Sequence, residues 1–260
     1  MHAEEKRSRG LRGLRADLHV HTCLSPCATL DMTPEKIVRH AIARHLAMIA
    51  VTDHNSAENA GAVMRAAAGS DLAVIPGMEV TSAEEAHILG FFEHLAEALS
   101  LQALVYDRLQ PGKNDENLFG LQVVANERDE VEGMNTRLLI GATSLSVNEI
   151  VDAIHERNGL AVASHIDRES FSLVGQLGFI PPDLPLDAVE ISARMSLVEA
   201  RRRFPEYRRL TFVTASDAHD LEALGSHPAY LQAAAAEFGE LQLALQGRDG
   251  RSIAEEAPGA

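Results

Sequence analysis

The sequence predicts an α/β fold in which strands and helices alternate and close, or nearly close, into a barrel. Short apolar runs alternate with segments of helical periodicity along most of the 260 residues. Six to eight such repeats are typical of a β/α barrel. Histidines and acidic residues also collect at the ends of the apolar runs, where parallel α/β folds build their sites.

Seven apolar runs are typical of strands. In chain order they are ADLHVH (16–21), MIAVTDH (48–54), LAVIPGMEV (72–80), AHILGFF (86–92), LAVASH (160–165), DAVEIS (187–192) and TFVTASDAH (211–219). A continuous apolar stretch such as MIAV is expected of a strand that is buried on both faces of a parallel sheet. We therefore expect a parallel sheet with helices packed outside it.

Two of the intervening segments carry helix-start signals. In TPEKIVRHAIARHL (33–46), Thr33 is a good N-cap residue and Pro34 occupies the first helical position. In SVNEIVDAIHERN (146–158), Ser146 and Glu149 have the spacing of a capping box. Both segments are predicted to be helices.

The domain organisation predicted from these patterns is a single domain with flexible ends. A basic arm occupies residues 1–15, the domain spans 16–247, and a flexible tail covers 248–260. Residues 94–145 fit the strand and helix repeat poorly, because they contain one helical pattern, a turn-like QPGKNDE and a polar stretch. We interpret residues 94–145 as an insertion or cap.

The charge balance limits the partners that the chain can take. It contains 38 Asp and Glu residues against 23 Lys and Arg residues, a formal net charge of −15. A long nucleic-acid footprint needs an extended basic face and is therefore not expected. A small phosphorylated ligand remains compatible with this charge, because a bound metal ion can outweigh the overall field.

Cysteine usage and hydropathy predict a cytoplasmic protein without a membrane partner. The only two cysteines, Cys23 and Cys27, imply no disulfide framework. The charged N-terminal residues do not resemble a signal peptide, and no run approaches the roughly 18 apolar residues of a membrane span.

Six of the twelve histidines lie at predicted strand ends. His87 begins a strand, whereas the other five lie at or just after the carboxyl end of one: His19, His21, His54, His165 and His219. Glu79 and Asp217 occupy equivalent places. Imidazoles and carboxylates together are a ligand set for divalent transition metals. The positions of these residues, more than any single motif, predict a metal site at one end of the barrel.

The His-x-His pair by itself has two interpretations. Residues i and i+2 of a strand share a face, so His19 and His21 project to the same side. They are either metal ligands or a hydrogen-bonded pair at a strand terminus, and only the remaining motifs favour the ligands.

Five segments carry a resemblance to a known family. DLHVHTCLSPC, AVTDHNS, PGMEVTSAEEAHILGFF, ASHIDR and TASDAHD resemble the successive motifs of the polymerase and histidinol phosphatase (PHP) family of metal-dependent phosphoesterases, over roughly residues 16–220. The resemblance implies a distorted, TIM-like barrel of seven strands. It also implies two or three divalent ions, manganese, iron or zinc, at the face where the strands end.

The resemblance further implies which residues hold each ion. A first ion takes His19, His21, Glu79 and Asp217. A second takes Glu79 as a bridge together with His87 and His165, and a third takes His54 and His219. The family supplies one more acidic or histidine ligand to the third ion, from a turn that follows the His-x-His pair.

This chain departs from the family in that turn. It has Ser25, Pro26 and Cys27 there, and Pro26 offers no donor, which predicts a third ion that is weakly held or absent. A thiolate ligand from Cys23 or Cys27 stays open, beside the alternative that both are small fillers in a turn. Asp53 is predicted to bind a metal, to orient His54 or to cap the next helix.

The function implied is hydrolysis of small phosphate esters, either nucleotide phosphates or the ends of short oligonucleotides. Arg168 is the predicted phosphate clamp, because a guanidinium matches phosphate oxygens, although a structural salt bridge to Asp167 or Glu169 is the alternative. Arg194 and Asn55 are further predicted contacts to the substrate. For Asn55, capping the next helix is the simpler explanation. Asp217 or His219 would deliver the proton to the leaving group.

Two other classes of function remain open at this point. One is a non-catalytic metal-binding module, against which the near-complete ligand set weighs. The other is a metal-dependent amidohydrolase, which uses a similar barrel but often relies on a carboxylated lysine. No lysine lies near a predicted strand end here.

Overall fold

The computed structural model describes residues 10–254, which contain eleven strands and eight α-helices. The strands are β1 (Arg12–Val20), β2 (Met48–Val51), β3 (Ala73–Thr81), β4 (His87–Phe91), β5 (Val123–Ala125), β6 (Val131–Met134), β7 (Leu160–Ala163), β8 (Ala188–Ile191), β9 (Thr211–Thr214), β10 (Ala229–Ala233) and β11 (Ser252–Ala254). The helices are α1 (Pro34–Ala43), α2 (Ala60–Ala66), α3 (Leu95–Arg108), α4 (Glu116–Phe119), α5 (Val147–His155), α6 (Leu173–Leu177), α7 (Leu197–Arg203) and α8 (Phe238–Leu245).

Nine of these strands form one sheet, in the order β11-β10-β1-β2-β3-β4-β7-β8-β9. Its end strands β11 and β9 contact each other, so the sheet is nearly closed like a barrel. The α/β barrel prediction is therefore confirmed, and the seven predicted strands are β1 to β4 and β7 to β9. The strand count is nine instead of seven, because the short strands β10 and β11 extend the sheet beyond β1.

The expectation of a wholly parallel sheet is wrong at two places. Strand β4 runs antiparallel to both of its neighbours, β3 and β7, and β10 runs antiparallel to both β1 and β11. Only residues 82–86 connect β3 to β4, which is too short for the crossover that parallel strands need. As a result His87, the first residue of β4, lies opposite Thr81 at the end of β3. The reversal brings a residue at the start of a strand to the same edge as the strand ends.

Strand β1 changes its partner along its length, and this closes the barrel at one end. Residues 12–16 pair with β10. Beyond them, the amide of Ala218 donates to the carbonyl of His19 at 3.1 Å, and the amide of His21 donates to the carbonyl of Ala218 at 3.0 Å. The segment that follows β9 is thereby held against the end of β1.

The helix-start predictions are confirmed. Helix α1 has Thr33 as its N-cap and Pro34 at its first position, although the Thr33 side chain makes no capping hydrogen bond. Helix α5 begins after Ser146, and both hydrogen bonds of the capping box between Ser146 and Glu149 are present. Helix α5 buries Ile150, Val151 and Ile154 against the sheet.

The boundaries of the predicted arm, insertion and tail remain predictions, although parts of these segments are described. Residues 12–15 of the basic arm belong to β1, and residues 252–254 of the tail form β11. The rest of the arm before residue 10 and the tail after residue 254 lie outside the described residues. Residues 94–145 contain α3, α4 and a separate two-stranded sheet of β5 and β6. Within the described range, every helix is too short or too polar to cross a membrane.

Gly77 allows the close approach of β3 and β4 beside the predicted ligand Glu79. A Cβ atom at position 77 would lie 2.4 Å from the backbone carbonyl oxygen of Gly90, which cannot rotate away. We expect Gly77→Ala to lower the free energy of unfolding by about 1–3 kcal/mol, the usual cost of overpacking. Gly133→Ala is the matched control, because no atom lies within 4 Å of the place that its methyl group would take. Urea unfolding of both variants measures the effect, and equal stability of the two would contradict it.

Candidate metal centre

The eight predicted ligands converge at the edge where β1, β2, β3, β7 and β9 end and β4 begins. His19 and Glu79 lie within strands and His87 opens one, whereas the other predicted ligands lie in the loops that follow the strands: His21, His54, His165, Asp217 and His219. The side chains of seven of them are at most 9% exposed, whereas the side chain of His219 is 29% exposed. The structure therefore brings all eight residues together.

Glu79 lies at the middle of this cluster and is 1% exposed. Its two carboxylate oxygens lie 2.8–3.5 Å from ring nitrogens of five imidazoles, those of His19, His21, His54, His87 and His165. The shortest of these distances joins Oε1 to Nδ1 of His87, and the next, 3.0 Å, joins Oε2 to Nδ1 of His54. Oε1 faces His19, His87 and His165, whereas Oε2 faces His21 and His54, so both oxygens of Glu79 contact imidazoles.

Lone pairs converge beside Glu79. Nε2 of His19 lies 3.1 Å from Nε2 of His21, and both lie within 3.3 Å of Oδ1 of Asp217. If the neutral His19 ring carries its proton on Nδ1 and donates it to Glu190, its Nε2 directs a lone pair at Nε2 of His21 and Oδ1 of Asp217. Such an arrangement is repulsive in a dry pocket unless a positive charge lies between the atoms. The chemistry and burial of the donor set therefore fit a divalent cation.

Three groups of side chains have ligand atoms within 4.8 Å of one another. They are His19, His21 and Asp217; His54, Glu79 and His87; and His21, His54 and His219. The first agrees with the set implied for a first ion. The second contains His54 where the family resemblance implies His165, although Nε2 of His165 lies 3.4 Å from Oε1 of Glu79.

The electrostatics of the cluster favour charged carboxylates. Burial alone raises the pKa of Glu79, but the charges of His87, His19 and His54 hold it well below its usual range. Burial likewise opposes ionisation of Asp217, whose pKa is lowered by His19 and His21. Both carboxylates are therefore ionised, and positive charge beside them, from imidazolium groups or from a bound cation, stabilises that form.

The imidazoles differ in pKa for reasons of environment. Burial lowers the pKa of His21 well below its usual value, and the nearby His219 and His54 lower it further. Burial also disfavours the charged form of His19, but the carboxylates of Glu190, Asp217 and Glu79 raise its pKa well above the usual value.

Glu190 positions two of the ligands and was missed by the sequence analysis. Its Oε2 lies 2.9 Å from Nδ1 of His19, and its Oε1 accepts from the backbone amide of His165 at 3.3 Å. Carboxylates that hold the second ring nitrogen of a ligand histidine fix its tautomer and orientation. The signal was available in the sequence, because Glu190 interrupts the apolar run DAVEIS near its carboxyl end.

Asp53 braces the loop that carries His21. It is fully buried and accepts hydrogen bonds from the Thr22 amide, the Thr22 hydroxyl and the Ser25 hydroxyl at 2.6–2.7 Å. Oγ of Ser25 in turn lies 2.9 Å from Nδ1 of His21. Asp53 therefore acts on His21 through Ser25, and the Ser25 hydroxyl also accepts a hydrogen bond from the backbone amide of His54 at 3.1 Å.

Several site residues have a left-handed backbone. The φ angles are 25° at His165, 50° at Asp217 and 52° at Asn55, none of which is a glycine. Such conformations are costly and persist where the surrounding contacts determine them. At His165 and Asp217 these conformations coincide with the loops that turn side chains into the site.

Arg168 lies at the cluster and pairs with a predicted metal ligand. Its Nη2 lies 2.6 Å from Oδ2 of Asp217, and its side chain is 33% exposed. The alternative partner Asp167 is instead bonded to the amide and hydroxyl of Ser192, at 2.8 and 2.6 Å. The guanidinium therefore lies where the cluster meets a solvent-accessible cavity of about 850 Å³. Arg194 lines the same cavity.

The environment of Asn55 does not fit the predicted contact with substrate. Asn55 is fully buried, and its amide group donates to the carbonyls of Leu139 and Gly141, both at 2.8 Å. Its Oδ1 accepts from the backbone amide of Thr81 at 3.0 Å. These bonds leave no amide hydrogen for a ligand, so Asn55 ties the 94–145 segment to the barrel.

The two cysteines have different surroundings. Cys23 is buried in a small apolar cluster with Val123 and Ala125, and burial raises the pKa of its thiol to about 12. Cys27 is exposed, in the turn that follows the His-x-His pair. Desolvation opposes ionisation of the Cys27 thiol, but the imidazoles of His219 and His54 lower its pKa to about 6.

Fold and site together define a class of protein, a distorted β/α barrel with a cluster of histidines and carboxylates that could hold metal ions at the end of its strands. The sequence matches the PHP domain family over residues 17–172, more than half of the chain. The chain belongs to the PHP domain family.

Two proteins that this chain resembles are nucleases. The 5'-3' exoribonuclease Rnm of Escherichia coli (strain K12) is 25% identical over 198 residues, which cover 60% of this chain and 67% of that protein. The lesion-specific endonuclease PfuEndoQ of Pyrococcus furiosus has a similar fold, with a TM-score of 0.72 and 18% identity. A structure of endonuclease Q with a 27-mer duplex that carries an abasic lesion at the active site gives a TM-score of 0.73, also at 18% identity.

The shared region is only part of the endonuclease. Each of the two matches covers 93% of this chain but only 57% and 58% of the respective endonuclease chains. The chain thus spans little more than half the length of these structural relatives.

Replacing the carboxylate of Glu190 by an amide tests its positioning role. We expect Glu190→Gln to weaken binding of Mn²⁺ by about 10- to 100-fold, the usual cost of losing a partner that orients a ligand. The fold should persist, because glutamine has the same shape. Calorimetric titration of the metal-free protein with Mn²⁺ provides the measurement, with the exposed Glu93→Gln as control. Unchanged affinity in Glu190→Gln would show that the contact to His19 does not matter for metal binding.

Proposed function

We propose that the protein is a metal-dependent phosphoesterase that acts on nucleotide phosphates or on the ends of short oligonucleotides. The observation that carries the proposal is the buried Glu79, whose carboxylate contacts five imidazoles beside Asp217 and Arg168. Membership in the PHP domain family supports the same class of reaction.

The cations would be held by the residues already described. Glu79 would bridge two ions, with His19, His21 and Asp217 on one side and His87 and His165 on the other. When bound, divalent cations stabilise the charge on phosphoryl oxygens and activate the attacking water. Glu190 and Ser25 would orient two of these ligands, because their side chains contact Nδ1 of His19 and Nδ1 of His21.

Arg168 would bind a non-bridging oxygen of the substrate phosphate. Its guanidinium already pairs with a carboxylate oxygen of Asp217, so it is held at the border between cluster and cavity. A guanidinium fork matches two oxygens of a phosphate in the same way that it matches a carboxylate.

Proton delivery to the leaving group would come from water in the cavity. Asp217 has no free oxygen, because Oδ1 faces His19 and His21 while Oδ2 pairs with Arg168. His219 lies between Asp217 and His54, within the cluster of ligands. We therefore assign cation binding to both of the residues that the sequence named as proton carriers.

The cavity supports a substrate larger than a phosphate group. Its lining contains Phe171, which is 47% exposed and stacks on His87. It also contains three arginines and four acidic residues: Arg168, Arg194 and Arg203, and Asp167, Glu169, Glu199 and Asp217. Arginines bind phosphates, and an exposed aromatic ring offers a surface on which a base stacks. The relatives that carry nuclease names agree with such a ligand. The net charge of −15 favours a short one.

Hydrolysis by the Mn²⁺-loaded protein tests the proposal, with Glu79→Gln as the decisive variant. The assay compares a phosphomonoester, a phosphodiester, a short oligonucleotide and an acyl amide. We expect turnover of phosphate esters only, and loss of nearly all of it in Glu79→Gln together with at least one metal ion, because the bridge is removed. Amide hydrolysis alone, or full activity and metal content in Glu79→Gln, would refute the proposal.

Arg168→Ala separates phosphate binding from a structural role. Loss of one charge-assisted hydrogen bond costs about 1.5–3 kcal/mol, which corresponds to a fall of roughly 10- to 100-fold in kcat/KM. Metal content should stay at the wild-type value. The exposed Arg128→Ala provides a control for loss of positive charge. An unchanged kcat/KM with reduced thermal stability would assign Arg168 to bracing the fold.

A further inference from the structure

The loop between β7 and α6 presents an aromatic ring to the cavity beside the cluster. Phe171 lines this cavity, and its side chain is 47% exposed. The ring stacks on the imidazole of His87, with the two ring centroids 5.0 Å apart and an angle of 24° between the ring planes. One face of the ring is therefore covered by a predicted metal ligand, and the exposed part remains available to a molecule in the cavity.

The backbone fixes this ring in place. Phe171 has a φ angle of 59°, in the left-handed region that bulky side chains rarely adopt. Its carbonyl oxygen accepts a hydrogen bond from the backbone amide of His87 at 2.9 Å. A conformation of this kind persists only where the surrounding contacts determine it, and such conformations collect at functional sites. Phe171 is thus held against His87 by its backbone as well as by its ring.

The same loop carries Arg168 and is closed into a compact turn. The amide of Arg168 donates to the carbonyl of His165 at 2.9 Å, and the hydroxyl of Ser172 donates to the carbonyl of Arg168 at 2.6 Å. Ser172 also caps α6 by accepting from the amide of Gly175. Gly175 approaches the carbonyl oxygen of Glu169 so closely that a side chain at position 175 would collide with it. The predicted phosphate clamp and the aromatic ring therefore belong to one braced segment.

The ring lies one side chain away from the predicted bridging carboxylate. Nδ1 of His87 lies 2.8 Å from Oε1 of Glu79, and the His87 ring separates Glu79 from Phe171. A phosphate bound beside Glu79 and Arg168 would have the Phe171 ring next to it. A base that stacks on this ring would then belong to the same nucleotide as the phosphate that is cleaved. Because His87 covers the other face, the ring has room for one base.

We propose that Phe171 determines the specificity of the enzyme by stacking on the base of the nucleotide whose phosphate is cleaved. Every base has a face that stacks on an aromatic side chain, so the ring selects nucleotides without selecting one base. It discriminates against sugar phosphates, which offer the same phosphate without a base. The proposal rests on the proposed phosphoesterase function, to which it adds the residue that selects the substrate.

A pair of substrates that differ only in the base tests this role. The Mn²⁺-loaded protein is assayed with AMP and with ribose 5-phosphate, each as the monoester and as its methyl diester. The measured quantity is the ratio of kcat/KM with the base to kcat/KM without it. A loss of metal or of support for His87 affects both substrates, and it therefore cancels in the ratio.

Removal of the ring should lower this ratio. We expect a fall of about 5- to 150-fold in Phe171→Ala, the factor that one stacked base contributes. Phe171→Tyr should retain a ratio close to that of the wild type, because it keeps an aromatic face. Phe179→Ala is the matched control, because Phe179 is 55% exposed and lies outside the lining of the cavity. Its ratio should equal that of the wild type.

Fluorescence provides a readout that does not depend on turnover. The sequence contains no tryptophan, so Phe171→Trp introduces the only indole of the protein. The variant, loaded with diamagnetic Zn²⁺, is titrated with the phosphonate analogue of AMP, in which carbon replaces the ester oxygen and prevents hydrolysis. We expect the stacked base to quench the fluorescence, and the corresponding analogue of ribose 5-phosphate to leave it unchanged. In the control Phe179→Trp, neither analogue should quench.

The outcomes separate this proposal from the proposed function. An unchanged ratio in Phe171→Ala would show that the ring only supports His87. That result, or Phe171→Trp fluorescence that the AMP analogue does not quench, would overturn the specificity role and leave the phosphoesterase function in place. Absence of turnover of every phosphate ester by the wild type would overturn the proposed function and the specificity role with it.

Discussion

A buried carboxylate surrounded by imidazoles is the constraint on which the rest of this structure depends. Glu79 is 1% exposed, and its charge is tolerated only because five histidines direct ring nitrogens at its oxygens. His19 lies in β1 and His87 opens β4, whereas His21, His54 and His165 lie in the loops that follow β1, β2 and β7. The barrel must therefore close accurately, because these five imidazoles come from distant parts of the chain and must all reach one side chain.

The closure itself depends on a small number of backbone contacts near the site. The bonds between Ala218 and the residues around Val20 hold the segment after β9 against β1, and they place Asp217 and His219 beside His21. A reversal of β4 adds His87 from the beginning of a strand. Local departures from an ideal parallel barrel, including the left-handed backbone at His165 and Asp217, thus coincide with the ligands.

The acidic character of the chain is compatible with the proposed anionic substrate if bound cations supply the positive charge locally. The net charge is −15, and the cavity beside Asp217 is lined by three arginines together with four acidic residues: Arg168, Arg194 and Arg203, and Asp167, Glu169, Glu199 and Asp217. The cations would therefore provide the excess of positive charge that a phosphate needs. Discrimination against long nucleic acids would then arise from the surrounding surface, while affinity for a phosphate would come from the site.

The sequence by itself determined the seven main strands, the caps of α1 and α5, the ligand types and their grouping at strand ends, because these follow from local periodicity and residue chemistry. It did not show that β4 runs antiparallel, that β10 and β11 extend the sheet, or that Glu190 holds His19. It also did not show that Asn55 is buried and ties the 94–145 segment to the barrel. Only the tertiary structure decided these points, because each depends on contacts between segments far apart in the chain.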